Sequence, residues 1–166
     1  VRRSKPTAKF LLLSRSPTES FVRALAEEGV SASDVFVRGV TPDEMPDILP
    51  AGDIGVSFIK PCFSKVGSSP TKVAEYLASG MPVVVNASIG DQRDLASESG
   101  GAVVTEDFSR DALAAAATSA LALATRPFAA RAEATRDVAR RHFGLAEIGV
   151  PRYQALYRAL DSGKAS

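Results

Sequence analysis

Between Ser68 and Glu75 the chain places two serine hydroxyls, Thr71, Lys72 and a carboxylate. They stand around Pro70, a residue that suits the start of a helix. Ser69 is a favourable N-cap, and Pro70 fits the first helical position, where a missing N–H costs nothing. A helix start offers free N–H groups and the positive end of the dipole. With a basic side chain and hydroxyls beside it, that combination suits a phosphate. Glu75 lies four residues after Thr71, on the same helix face. A carboxylate one turn below a bound phosphate is well placed to accept hydrogen bonds from ribose hydroxyls. A solvated lysine and an ordinary surface glutamate are the plainer alternatives.

Comparison within the chain sharpens this reading. Ser16-Pro17-Thr18-Glu19 and Thr41-Pro42-Asp43-Glu44 share the same opening grammar, and both carry Glu where a capping box wants it. The third has Lys72 in that place. A cation in a first turn opposes the helix dipole unless an anion sits there and uses both.

The elements that must hold these residues follow from pattern. Gly80 and Pro82 stop the helix, and Val83-Val84-Val85 is an apolar run without alternation, as in a parallel strand covered on both faces. Lys9 to Ser14, Asp34 to Val40 and Asp53 to Ile59 read as strands, and Gly100 to Val104 as a last short edge strand. Helices from Pro17, Pro42 and Asp91 alternate with them, which predicts right-handed βαβ units around a parallel sheet. The connection from Lys60 to Gly67 is irregular and sits after a strand, where open parallel sheets carry ligands. Asp111 to Ala124 reads as a packed alanine-rich helix. Phe128 to Phe143 reads as a helix with a solvated charged face. Pro151 opens a final helix whose Tyr153, Leu156, Tyr157 and Leu160 form a stripe for a core or an interdomain contact.

Bulk properties exclude several classes. The 166 residues suit one domain, 45% hydrophobic and 23% charged, as in ordinary globular proteins. A formal net charge of +1 gives no general pull toward nucleic acid or anionic membrane, so a phosphate site must be local. Cys62 is the only cysteine and His142 the only histidine, which excludes a disulfide framework and argues against zinc and triad chemistry. No apolar run has membrane-spanning length. The basic start at Val1-Arg2-Arg3-Ser4-Lys5-Pro6 lacks the apolar region of a signal peptide.

The segment Ser-Pro-Thr-Lys-Val-Ala-Glu-Tyr-Leu-Ala-Ser-Gly-Met-Pro-Val-Val, residues 69–84, resembles the donor-binding segment of the retaining GT-B glycosyltransferases, often called glycosyl transferases group 1. The likeness extends over most of residues 8 to 160. It implies an α/β fold, a Rossmann-like parallel sheet with helices on both faces, forming the C-terminal half of a two-domain enzyme. It also implies a nucleotide-sugar donor as substrate, with no metal or other cofactor, and a cytoplasmic role in building bacterial cell-surface polysaccharide. Peripheral attachment to the inner membrane would come through the missing domain. By the resemblance Glu75 binds the nucleotide ribose, while Thr71, Lys72, Ser68 and Ser69 hold the phosphates. Val40, beside the Arg38-Gly39 turn, matches the base-contacting loop by position. Many members carry a second glutamate near the transferred sugar, and Gly67 occupies that place here. The family's first strand of this domain, with its phosphate-neutralising Arg and Lys, has no counterpart before Phe10; Arg15 is a substitute candidate. The N-terminal acceptor domain is expected as the partner, and 1–166 alone is expected to be inactive. A catalytically degenerate nucleotide-binding module and half of a GT-B sugar-nucleotide epimerase remain alternatives. A receiver-like regulatory domain fits poorly, since Asp53 and Asp91 stand at element starts and not at strand C-termini.

Overall fold

A computed structural model describes residues 5–162 of the chain; the first four residues of the basic start lie outside them. Strands and helices alternate from β1 (Phe10–Leu13), α1 (Glu19–Glu27), β2 (Val35–Arg38) and α2 (Met45–Ile48) onward. They continue through β3 (Gly55–Ser57), α3 (Thr71–Ala78), β4 (Val83–Asn86), α4 (Gln92–Ser99) and β5 (Ala102–Thr105). Three helices, α5 (Arg110–Ala124), α6 (Phe128–Phe143) and α7 (Val150–Asp161), complete the chain. Every strand pair is parallel. The expected α/β architecture is present, with one difference: the strands form two sheets, β1-β2 and β3-β4-β5.

β4 is the centre of the larger sheet. Val83 and Val85 pack into a core with Val73 and Leu77 of α3, Leu95 of α4, and Val138 and Ala139 of α6. Val84 points to the other face and meets Ala116 and Ala120 of α5. Alternate residues of one strand therefore bury against different helical layers, which is why the sequence shows an unbroken apolar run. At about 25 cal/mol per Å² of apolar surface, each fully buried valine contributes roughly 1.5–3 kcal/mol.

α3 ends as its sequence predicts. Gly80 adopts φ 83°, its N–H donates to the Leu77 carbonyl, and the Met81 N–H donates to the Tyr76 carbonyl, both at 3.0 Å. This is the paired bonding of a Schellman stop. Gly80 has a second reason to lack a side chain, since a Cβ there would lie 2.8 Å from the Ala132 Cβ of α6.

Other helix starts depart from expectation. Ser16-Pro17 precedes α1, but the N-cap is Thr18 and no side chain bonds to the first turn. Asp91 does hold the N-cap position of α4, again without a side-chain bond. The box at Thr41 behaves as predicted on its acidic side: the Glu44 carboxylate accepts from the Thr41 N–H at 2.7 Å and from its hydroxyl at 3.0 Å. Those bonds hold the Glu44 carboxyl below the usual range.

The charged face of α6 is only partly solvated. Arg131 is nearly buried and donates to the Asp53 carbonyl and carboxylate and to the Ala124 carbonyl. Arg136 donates to the Ala78 carbonyl at the end of α3. Arg140 and Arg141 stay at the surface, paired with Asp137 and Glu98. The α7 stripe is not core: Tyr153, Leu156, Tyr157 and Leu160 are all more than half exposed. Among the described residues, no single helix is long and apolar enough to cross a membrane.

The two reasons for glycine at position 80 can be separated by experiment. Gly29, φ 80°, closes α1 in the same conformation but has open space around it. Gly29→Ala should cost about 1–2 kcal/mol for the left-handed conformation alone. Gly80→Ala should cost at least about 1 kcal/mol more, because the α3–α6 contact is overpacked. Urea midpoints of the two variants check this, and equal losses would show that α6 yields freely.

Candidate functional site

Irregular backbone follows β3, and what fixes its beginning is a single buried side chain. Asn86, at the end of β4, accepts a hydrogen bond from the Ile59 N–H at 2.8 Å and donates to the Ile59 carbonyl at 2.9 Å. Its amide also donates to the Ala87 carbonyl at 3.1 Å. Asn86 is 2% exposed, so these bonds form away from water, where leaving them unmade is costly. The chain is thereby held beside β4 for two residues past the end of β3. Phe58 packs edge-on against Phe108, ring centroids 5.5 Å apart, which ties the same segment to the β5–α5 loop.

From Ile59 the chain runs outward to Pro70 through a single short turn at Phe63–Lys65. Residues 60–72 contain Lys60, Lys65 and Lys72 and no acid. The loop returns against the β4–α4 turn so closely that a Cβ on Gly90 would fall 1.9 Å from the Ser68 carbonyl oxygen. That approach fixes where α3 begins.

The start of α3 differs from the sequence expectation in one detail that strengthens the chemistry. The N-cap is Pro70, with extended backbone at ψ 119°, and not Ser69. Ser69, just before it, is exposed. Proline has no side-chain acceptor, and no side chain caps the first turn. The Val73 N–H donates to the Pro70 carbonyl at 3.0 Å, whereas Thr71 and Lys72 bring their N–H groups to the helix end without an intrahelical acceptor. No acidic residue stands in that turn.

This uncapped end opens on a recess of about 320 Å³ lined by Val56, Ser57, Phe58, Ile59, Pro70, Thr71 and Lys72. Of the candidate residues, Thr71 and Lys72 are in its wall. Ser68 is half-buried just outside, and Ser69 is exposed beside it. Glu75 lies one turn further along α3, exposed, on the helix side away from buried Val73 and Leu77, and its carboxylate has no hydrogen bond or ion pair among the described residues. Gly67 is exposed with open space around it, so a larger side chain would fit there.

Arg15 and Val40 belong to the other sheet. A Cβ on Gly39 would lie 3.7 Å from the Ser14 carbonyl oxygen and 4.0 Å from Cγ of Arg15. Arg15 and the Val40 loop therefore meet at the carboxyl ends of β1 and β2, as the sequence placed them. No hydrogen bond or ion pair joins this pair to Thr71 or Lys72 among the described residues. Sequence reasoning missed Ser57, Phe58, Ile59 and Asn86. Only the polar Asn86 directly after three valines could have signalled a buried clamp.

Asn86→Ala would leave the Ile59 N–H and carbonyl without their partner. The expected cost is about 1–3 kcal/mol, with faster amide exchange at Ile59 and little change at Val73. Unaltered exchange at Ile59 would show that Asn86 does not hold the loop.

Compared with known proteins, the chain matches the family model of glycosyl transferases group 1 over residues 1–122. No curated protein and no solved structure matches it significantly.

Proposed function

The chain belongs to the glycosyl transferases group 1 family, and we propose that it forms the C-terminal, donor-binding domain of a retaining GT-B enzyme. Its substrate on this reading is a nucleotide-sugar, and its partner the N-terminal acceptor domain of the same protein. In the reaction the bond between the sugar's anomeric carbon and the donor phosphate breaks. An acceptor hydroxyl takes the sugar, and its proton leaves. Negative charge grows on the departing phosphate as this happens. Fixed N–H dipoles and a cation aimed at that charge stabilise it without having to reorganise.

The observation that carries the reading is the uncapped first turn of α3, open to the recess with Lys72 in its wall. Thr71 and Lys72 would bind the phosphates, with Ser68 and Ser69 at the edge of the same site. Glu75, one turn below, would accept the ribose hydroxyls. Arg15 and Val40 would reach the donor from the carboxyl ends of β1 and β2. Gly67 leaves the sugar side without the carboxylate usual in the family. A protein that binds donor without transferring it is the second reading, and this glycine is the observation that favours it. Transfer by residues 1–166 alone is not expected, since domain closure aligns the two substrates. On the same reading the enzyme works in the cytoplasm.

Two substitutions test the site. Lys72→Glu places an acid at the positive end of the dipole and should leave the fold intact or stabilise it by about 0.3–1 kcal/mol. It should weaken a nucleoside diphosphate far more than the bare nucleoside, because only the former carries phosphates. Equal losses for both ligands would remove Lys72 from the phosphate site.

Glu75→Ala should lower affinity for a nucleoside diphosphate roughly 10- to 150-fold, corresponding to about 1.5–3 kcal/mol for charge-assisted hydrogen bonds. Alanine suits an exposed helix position, so stability should hold. With a 2′,3′-dideoxy nucleotide the same substitution should have little effect. Calorimetry with both ligands decides it; wild-type affinity of the mutant for the ribonucleotide would overturn the assignment of Glu75.

A further inference from the structure

Two buried amides stand on either side of the turn between β4 and α4, and the structure treats them in opposite ways. Asn86 closes β4 with its side-chain oxygen and nitrogen both engaged. Gln92 opens α4 and is 1% exposed, yet neither its Nε2 nor its Oε1 has a hydrogen-bond partner among the described residues. Buried side-chain amides are normally bonded, because desolvating one without compensation is costly. The burial is also unusual for its place, since Asp91 and Arg93 on either side are exposed. The fold keeps an unbonded amide dry at a helix start where both neighbours meet water.

Its surroundings follow from the packing of α4. Leu95, three residues on and on the same helix face, packs in the core with Val73 of α3 and Val85 of β4. Gln92 therefore lies one turn nearer the carboxyl ends of the strands, at the level where α3 begins. The Ser68 turn meets the chain at this level, its carbonyl resting on Gly90 so closely that a Cβ there has no room. Two peptides separate Gly90 from Gln92, so their Cα atoms are at most about 7.6 Å apart. Ser68 is half-buried, and neither its hydroxyl nor its carbonyl is hydrogen-bonded among the described residues. A donor and an acceptor without partners thus stand close to an amide that needs one of each.

We propose that Gln92 is the positioning residue behind the phosphate site, and that its amide is satisfied only when a phosphate-bearing ligand binds. The inference rests on the reading of the α3 start as that site. Phosphate oxygens taking the N–H groups of Thr71 and Lys72 would draw the Ser68–Ser69 turn inward against α4. Ser68 would then donate its hydroxyl to Oε1 of Gln92 and accept at its carbonyl from Nε2. Exposed Ser69 remains as the hydroxyl that reaches the phosphate. The free protein carries the cost of the bare amide, and the bound arrangement is favoured by the difference between the two states. Gln92 touches neither phosphate nor sugar; it acts through Ser68.

Gln92→Met replaces the amide by an apolar side chain of similar length and separates this role from a structural one. An amide bonded through an ordered water supports the fold, and its loss lowers stability; loss of an unbonded one does not. The melting temperature of Gln92→Met should therefore stay level or rise by up to about 4 °C. Calorimetry should show affinity for a nucleoside diphosphate lowered at least about 10-fold, with the bare nucleoside unchanged within about twofold. Ser68→Ala should weaken the diphosphate as well, and the double variant should lose no more than Gln92→Met alone, because the two residues act on each other. A nuclear magnetic resonance measurement on wild type needs no variant to fold: one Nε2 proton of Gln92 should move downfield with the diphosphate and stay in place with the nucleoside. A lowered melting temperature with unchanged diphosphate affinity, additive losses in the double variant, or a Gln92 proton indifferent to the diphosphate would each overturn the proposal. Wild type that binds no diphosphate would overturn the phosphate-site reading and this inference together, whereas binding that Gln92→Met leaves intact removes Gln92 alone.

Discussion

The structure depends on burying three consecutive valines of β4 on both of their faces. Val83 and Val85 need α3, α4 and α6 on one side, and Val84 needs α5 on the other. That requirement fixes where α3 lies, because Val73 and Leu77 are its half of the contact. A helix held so firmly by its middle has its first turn fixed as well. The helix start is consequently a rigid feature, and rigidity is what an anion site built from backbone N–H groups demands.

The same helix explains why its N-terminus carries a lysine. α1 and α2 are served by acids at their starts, Glu19 in the first turn and Glu44 bonded to Thr41. α3 has neither acid nor side-chain cap, and its stability comes instead from the core contacts and from the Schellman stop at Gly80. Tertiary burial worth several kcal/mol outweighs an unfavourable cation worth about 0.3–1 kcal/mol. The fold can therefore leave this terminus unsatisfied.

Distant hydrogen bonds then shape the surroundings. Asn86 holds Ile59 across a gap of 27 residues, and Arg131 reaches Asp53 across 78. Both connect the strand carrying the recess to elements far along the chain. A buried amide with satisfied partners in a low-dielectric setting specifies one arrangement over many apolar alternatives. These contacts, more than the loop sequence, give the recess its wall.

Local rules in the sequence determined the elements themselves. The apolar run at Val83, the stop at Gly80, the box at Thr41, and the helices from Phe128 and Pro151 are set by neighbours within a few residues. Such signals survive in any context. Family membership was legible for a related reason, since residues 69–84 concentrate cap, cation, carboxylate and stop in one stretch. Long-range geometry decided the rest. The cap falls on Pro70, whose own backbone is extended, and not on Ser69; the Ser68–Gly90 approach that holds this start has no mark in the local sequence. Arg131 left the solvated face to reach Asp53 and the Ala124 carbonyl. The division between β1-β2 and β3-β4-β5 was invisible for the same physical reason: periodicity tells a strand which face to bury, while its partner along each edge is chosen only when the folded chain brings hydrogen-bonding groups together.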